Sequence, residues 1–172
     1  MNIILIGMRG AGKSTVAHLL AKKLSIPLVE TDILIEERVQ VPISDFVKQN
    51  GWEQFRLIES DVVKKIAAAE NTIISTCGGV ILKKENVDLL KRNGRVFYLK
   101  TTVDSLNKRV GNNQNRPALT DKPILREEMA EVLHQRARLY EDAADEIVET
   151  DNFSKDQVAE KILTLLSDIY VY

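Results

Sequence analysis

The chain has 172 residues, 44% hydrophobic and 28% charged, which suits one folded domain with a real core. Its 24 basic and 25 acidic residues leave a net charge of −1. No global field therefore draws it to nucleic acid or to a membrane surface, and a small-molecule substrate is expected. One cysteine, Cys77, excludes an internal disulfide and fits a reducing compartment. No apolar run approaches the ~18 residues that span a bilayer, no basic segment with a cleavable apolar stretch opens the sequence, and the expected location is cytoplasmic.

The first element is a strand over 2–6, Asn2-Ile3-Ile4-Leu5-Ile6, apolar almost throughout as a parallel strand covered on both faces is. It runs into Gly7-Met8-Arg9-Gly10-Ala11-Gly12-Lys13-Ser14-Thr15. This is G-x-x-x-x-G-K-[ST], the phosphate-cradling loop, in the strand-then-helix context that it needs. The loop fixes a ligand class. Backbone N–H groups over Gly10, Ala11, Gly12, Lys13, Ser14 and Thr15 form a nest for the β-phosphate of a nucleotide, and the following helix adds its positive end. Lys13 reaches the β- and γ-oxygens, and Ser14 ligates Mg²⁺. That helix covers 13–24, with Val16, Leu19, Leu20 and Leu24 at helical spacing.

A second strand over 27–30 leads into Glu30-Thr31-Asp32. Ligands of open α/β sheets bind at the carboxyl ends of strands. A carboxylate here is placed to take a proton from a substrate hydroxyl, or to hold Mg²⁺ through water. The plain alternative for Asp32 is a helix N-cap, because Glu36 and Glu37 follow in a helix-like run. Helices over 43–49 and 52–69 come next, with Gly51 between them. On the second, Arg56 and Glu59 stand at i, i+3. A solvated surface pair is the common outcome for such spacing. The alternative is that Glu59 fixes the guanidinium and leaves its outer edge for a substrate carboxylate.

The third strand, 72–76, leads into Cys77-Gly78-Gly79. Paired glycines admit close approach of a ligand, and their N–H groups suit an anion such as a carboxylate; a plain turn is equally compatible. A helix over 83–92, Gly94 and a strand over 95–99 follow. The stretch 109–123 is polar and aperiodic and lies between helical segments. Loops this long in a compact domain are often lids, and Arg109 and Arg116 bracket it as cations for phosphates. A helix of roughly 124–143 carries Arg136-Ala137-Arg138-Leu139-Tyr140, which alone reads as surface. A strand over 146–149 and a helix of about 155–168 complete an α/β alternation with a parallel sheet, read as one domain over 1–172. His18 and His134 have no partner at metal-ligand spacing.

Taken in order, Gly7 to Thr15, Glu30-Thr31-Asp32, Phe55-Arg56-Leu57-Ile58-Glu59, Cys77-Gly78-Gly79, Arg116-Pro117-Ala118-Leu119 and Arg136-Ala137-Arg138-Leu139-Tyr140 span nearly the whole chain. The set resembles the shikimate kinase family. Its pattern is a P-loop, Asp-x-Asp, Phe-Arg-x-x-Glu, Gly-Gly-Gly, Arg-Pro-Leu and Arg-x-Pro-Leu-Tyr. The resemblance implies ATP-dependent phosphorylation of the 3-hydroxyl of shikimate, on the chorismate route to aromatic amino acids, with Mg²⁺ as cofactor. It implies a nucleoside-monophosphate-kinase-like three-layer sandwich whose five parallel strands run in the order 2-3-1-4-5. A substrate-binding helical region of about 32–60, a lid of about 109–123 and a monomer belong to the same implication. By resemblance, Lys13, Asp32 and Arg116 are catalytic: Asp32 holds the substrate hydroxyls and acts as base, and Arg116 swings in with the lid onto the phosphates. Arg56 and Arg136 pair with the shikimate carboxylate beside Gly78 and Gly79, and Arg109 packs on the adenine face.

The chain departs from that pattern at four places. Glu30 replaces the first Asp, one methylene longer. Cys77 replaces the first glycine of the triplet; it is strained if the position needs φ > 0, and otherwise keeps its N–H and adds an inert small side chain. Ala118 and Arg138 replace a lid leucine and a proline, and Arg138 either strengthens anion attraction beside Arg136 or faces solvent. Two other functions compete. A kinase of the same loop type acting on gluconate or on a nucleoside monophosphate needs either the same acid-binding cations or a second phosphate site, and no clear second phosphate site is present. A nucleotide-binding regulator without turnover would not need Lys13, Asp32 and Arg116 together.

Overall fold

Five parallel strands form a single sheet in the order β2-β3-β1-β4-β5. They are β1 (Asn2–Ile6), β2 (Leu28–Glu30), β3 (Ile73–Ser75), β4 (Gly94–Lys100) and β5 (Glu146–Glu149). This is the order expected, in a computed structural model that describes residues 1–110, 119 and 124–169. Helices α1 (Lys13–Leu24), α2 (Thr31–Val39), α3 (Ile43–Ile66), α4 (Lys84–Arg92), α5 (Val103–Val110), α6 (Leu125–Ala143) and α7 (Lys155–Ile169) cover both faces. One turn of 3-10 helix lies at Val80–Leu82. No helix of the described residues is long and apolar enough to cross a membrane.

The central strand is buried along its whole length, which is why it reads as a continuous apolar run. Register then places the functional loops. Leu5 pairs with Ser75, and Ser75 with Glu30, so β2 and β3 end in one row and β1 runs one residue past it. Two residues beyond that row stand Gly7, Cys77 and Asp32, at the carboxyl edge where the alternating βα connections open.

Two helices were not separable by periodicity. α2 buries Thr31 and Ile35, and α5 buries Leu106 and Val110. A single i, i+4 pair is too little to stand out in a polar stretch. The two expected helices at 43–49 and 52–69 form one run, α3, that kinks at Gly51 (φ 79°, ψ 168°). Arg109 and Val110, expected to open the lid, instead close α5.

Candidate active site

The loop after β1 turns on glycine. Gly10 has φ 86°, and a Cβ there would lie 2.3 Å from Val110 Cγ2, so α5 closes against it. Gly12, in the left-handed region, caps α1. Lys13 is buried, and its Nζ donates to the carbonyl oxygens of Gly7 (2.9 Å) and Met8 (3.0 Å), which keeps the ammonium on the loop's own backbone. Ser14 and Thr15 are exposed in the first turn of α1.

Asp32 is the second residue of α2 rather than its N-cap; Glu30 takes that position and gives no side-chain cap. The Cys77 thiol donates to Asp32 Oδ1. Cys77 is 5% exposed, its backbone N–H donates to Thr31 Oγ1 (2.8 Å), and its Sγ lies 3.2 Å from the same oxygen. Its φ is not positive, so the position does not demand glycine. Burial pushes the thiol well above the usual range, and the carboxylates of Asp32 and Glu59 push it the same way. An unreactive small side chain was expected; the thiol is also hydrogen-bonded to a candidate base.

The Arg56–Glu59 pair is not a solvated surface pair. Arg56 NH1 donates to both carboxylate oxygens of Glu59 at 2.7 Å, and the two side chains are 14% and 0% exposed. Burial raises the Glu59 carboxyl above its ordinary range, and the Arg56 charge opposes that rise. The guanidinium also lies 4.9 Å from the Phe55 ring centroid and 5.2 Å from that of Trp52, cation–π distances. On its remaining side it meets Gly79, where a Cβ would fall 2.3 Å from Arg56 NH2. Glycine is needed there for close approach, because Gly79 has an ordinary φ of −109°.

Arg136 and Tyr140, one turn apart on α6, face the same neighbour. Both donate to the carbonyl oxygen of Gly78, Arg136 NH1 at 3.5 Å. Tyr140 is fully buried and stacks on Tyr98, with ring centroids 4.9 Å apart and planes 13° apart. Arg138, two residues from Arg136, is on the other side: its side chain is 91% exposed, 3.7 Å from Asp142. The reading of 136–140 as plain surface therefore holds for Arg138 and not for Arg136 or Tyr140. Only the i, i+4 spacing of Arg136 and Tyr140 marked them as sharing a face.

These residues border two cavities. One, of about 400 Å³, is lined by Asp32, Trp52, Arg56, Gly79, Leu119 and Arg136, among others. The other, of about 270 Å³, is lined by Gly10, Gly12, Lys13, Thr15, Arg109 and Lys155, among others. Arg9, Ser14, Glu30 and Asp32 line both. Arg9 was not singled out in the sequence, although it lies inside the loop motif. Its NH2 pairs with Glu128 Oε1 at 2.7 Å, with side chains 10% and 5% exposed, and ties the loop to the first turn of α6. Arg109 donates to Thr150 Oγ1 (3.2 Å), Thr150 O (3.1 Å) and Ala11 O (3.4 Å). Arg116 lies outside the described residues.

The shikimate kinase family model matches residues 9–167. A shikimate kinase of Dehalococcoides mccartyi is 40% identical over 161 residues, covering 94% of this chain and 90% of its own length. Shikimate kinase 2 of Photorhabdus laumondii is 39% identical over 170 residues, 97% of this chain and 94% of its own. Among solved structures, shikimate kinase from Acinetobacter baumannii in complex with shikimate superposes with a TM-score of 0.94 at 30% identity, over 99% of this chain and 95% of that one.

Proposed function

This chain belongs to the shikimate kinase family, and we propose that it transfers the γ-phosphoryl group of ATP to the 3-hydroxyl of shikimate, giving shikimate 3-phosphate and ADP. The observation that carries this reading is the shared wall. Arg9, Ser14, Glu30 and Asp32 border both the cavity on the phosphate loop and the cavity that holds Arg56 and Arg136. A nucleotide in the first and a hydroxy-acid in the second meet there.

Shikimate carries one carboxylate and three hydroxyls. Arg56 and Arg136 supply the cations for the carboxylate. Arg56 arrives already oriented by Glu59, two rings and Gly79, so little side-chain freedom is lost on binding. Each charge-assisted hydrogen bond contributes about 1.5–3 kcal/mol. Asp32 takes the hydroxyl's proton as the new O–P bond forms. Phosphoryl transfer passes through a loose transition state, so the protein's work is positioning and charge. Lys13 exchanges the carbonyls of Gly7 and Met8 for β- and γ-phosphate oxygens. Arg116 adds charge from the lid, whose closure excludes water, and Arg109 packs on the adenine.

Magnesium fits the donors present. The Ser14 hydroxyl is a hard oxygen at the shared wall, and among the described residues no group of three or more His, Cys, Asp or Glu side chains is placed to hold a metal by itself. Ser14 would hold the ion together with the nucleotide's own phosphates. When bound, Mg²⁺ neutralises charge on the β- and γ-oxygens. A cytoplasmic setting, where ATP is available and the free thiol of Cys77 stays reduced, belongs to the same proposal.

The test is coupled detection of ADP release with shikimate, quinate and gluconate offered separately. Turnover with shikimate and none with gluconate is expected. Turnover with gluconate would favour the rival kinase. Nucleotide binding with no turnover of any acceptor would favour the regulator.

A further inference from the structure

The mechanism above makes no use of Cys77, the single cysteine of the chain, yet its thiol is bonded to the carboxylate that receives the acceptor's proton. We propose that Cys77 is a positioning residue for Asp32: its S–H bond to Oδ1 sets the rotation of the carboxylate before the acceptor alcohol arrives. This rests on the role proposed for Asp32.

Three observations support it. First, the rotation is one that a directed donor can bias. The helix is nine residues long and buries only Thr31 and Ile35, and the terminal torsion of an aspartate is broad and two-fold. A donor aimed at one oxygen narrows it. Second, the donor is itself held. Cys77 is 5% exposed, its N–H is bound to Thr31 Oγ1 at 2.8 Å, and its Sγ contacts the same oxygen. Residue 77 therefore grips two successive residues, Thr31 and Asp32, and joins the end of β3 to the start of α2.

Third, the thiol's proton is directed and retained. Glu59 stands close enough on the other side to act on the thiol electrostatically, but the hydrogen bond runs to Asp32 Oδ1. Burial beside two carboxylates keeps the thiol protonated at neutral pH. The family pattern has a glycine at this place, with no side chain to make such a bond. The contact is a property of this chain.

The single cysteine makes the test direct. The S–H stretching band of the wild-type enzyme reports one group, and it should lie below that of an unbonded thiol and rise in Asp32→Asn. In kinetics, Cys77→Ala should lower kcat about 3- to 10-fold, the share of a charge-assisted bond that reaches the transition state. KM for shikimate and for ATP should stay within about twofold. Cys77→Ser, which keeps a hydroxyl donor, should recover most of the lost kcat. A band that ignores Asp32→Asn overturns the inference even if Cys77→Ala does not fold. So does a serine variant as slow as the alanine variant, or an alanine variant as fast as wild type. An Asp32→Asn enzyme with full kcat would instead remove the reading of Asp32 beneath it.

Discussion

Replacing Arg56 with alanine should injure folding and binding together, and pH separates the two injuries. Glu59 is fully buried and takes both its bonds from Arg56. Stranding one member of a buried pair costs about 3–5 kcal/mol. Glu59 has an escape, because a buried carboxylate without a partner takes up a proton. Burial already raises its carboxyl above the ordinary 4.5, and the Arg56 charge is the main influence against that rise. Without Arg56 the rise grows. An acid raised in the folded state binds more protons folded than unfolded, so its contribution to stability falls as pH rises from the ordinary value through the raised one. The deficit of Arg56→Ala against wild type should thus be small near about pH 5 and grow toward about pH 8, approaching ~3–5 kcal/mol. Urea unfolding at the two pH values measures it. In steady-state kinetics, losing one charge-assisted bond to the shikimate carboxylate, about 1.5–3 kcal/mol, raises KM roughly 10- to 150-fold. KM for ATP should hardly move, since Arg56 lines only the larger of the two cavities. Arg56→Ala with Glu59→Gln should regain most of the stability and none of the shikimate affinity. A deficit equal at both pH values, or equal damage to both KM values, would refute the reasoning.

Gly79→Ala tests the same site from its backbone side. The added methyl would fall within 2.4 Å of NH1, NH2 and Cζ of Arg56, and NH1 is the atom that holds Glu59, so KM for shikimate should rise about tenfold and urea unfolding should show a loss of about 1–3 kcal/mol; an unchanged KM and stability would contradict the close approach. Lys13→Ala and Asp32→Asn should chiefly lower kcat, by about 10²-fold or more, measured by ADP release at saturating substrates; a wild-type kcat in either would remove that residue from the chemistry. Burial, with Glu141 and Glu149 nearby, pushes the Tyr98 phenol from 10.0 up to about 12. The folded state then keeps a proton that the unfolded chain loses, and stability falls as pH rises through that window. Tyr98→Phe should unfold with a shallower loss between pH 10 and 12, and an unchanged slope would contradict the burial of that hydroxyl.

Where the sequence was easy to read, the physics is local. The loop from Gly7 to Thr15 is a contiguous motif, and its chemistry comes from consecutive N–H groups and the helix they open. The strands Asn2–Ile6 and Gly94–Lys100 announce themselves because burial on both faces removes polar residues from the run. Short helices such as α2 and α5 get no bounds from the sequence because each buries only one pair of residues. Spacing alone left Arg56 and Glu59 ambiguous between surface and site. What decided the matter was the wall around them, Trp52, Phe55 and Gly79, which comes in part from another segment.

Order along the chain determined by itself the α/β alternation, the ligand class and the family, because hydrophobic period and a nine-residue loop need no distant partner. Tertiary structure alone decided which charges are dry and what each one touches. Arg9 meets Glu128 across 119 positions, Tyr140 meets Gly78 across 62, and Cys77 meets Asp32 across 45. Desolvation depends on atoms that fold in from elsewhere, and no local pattern records them.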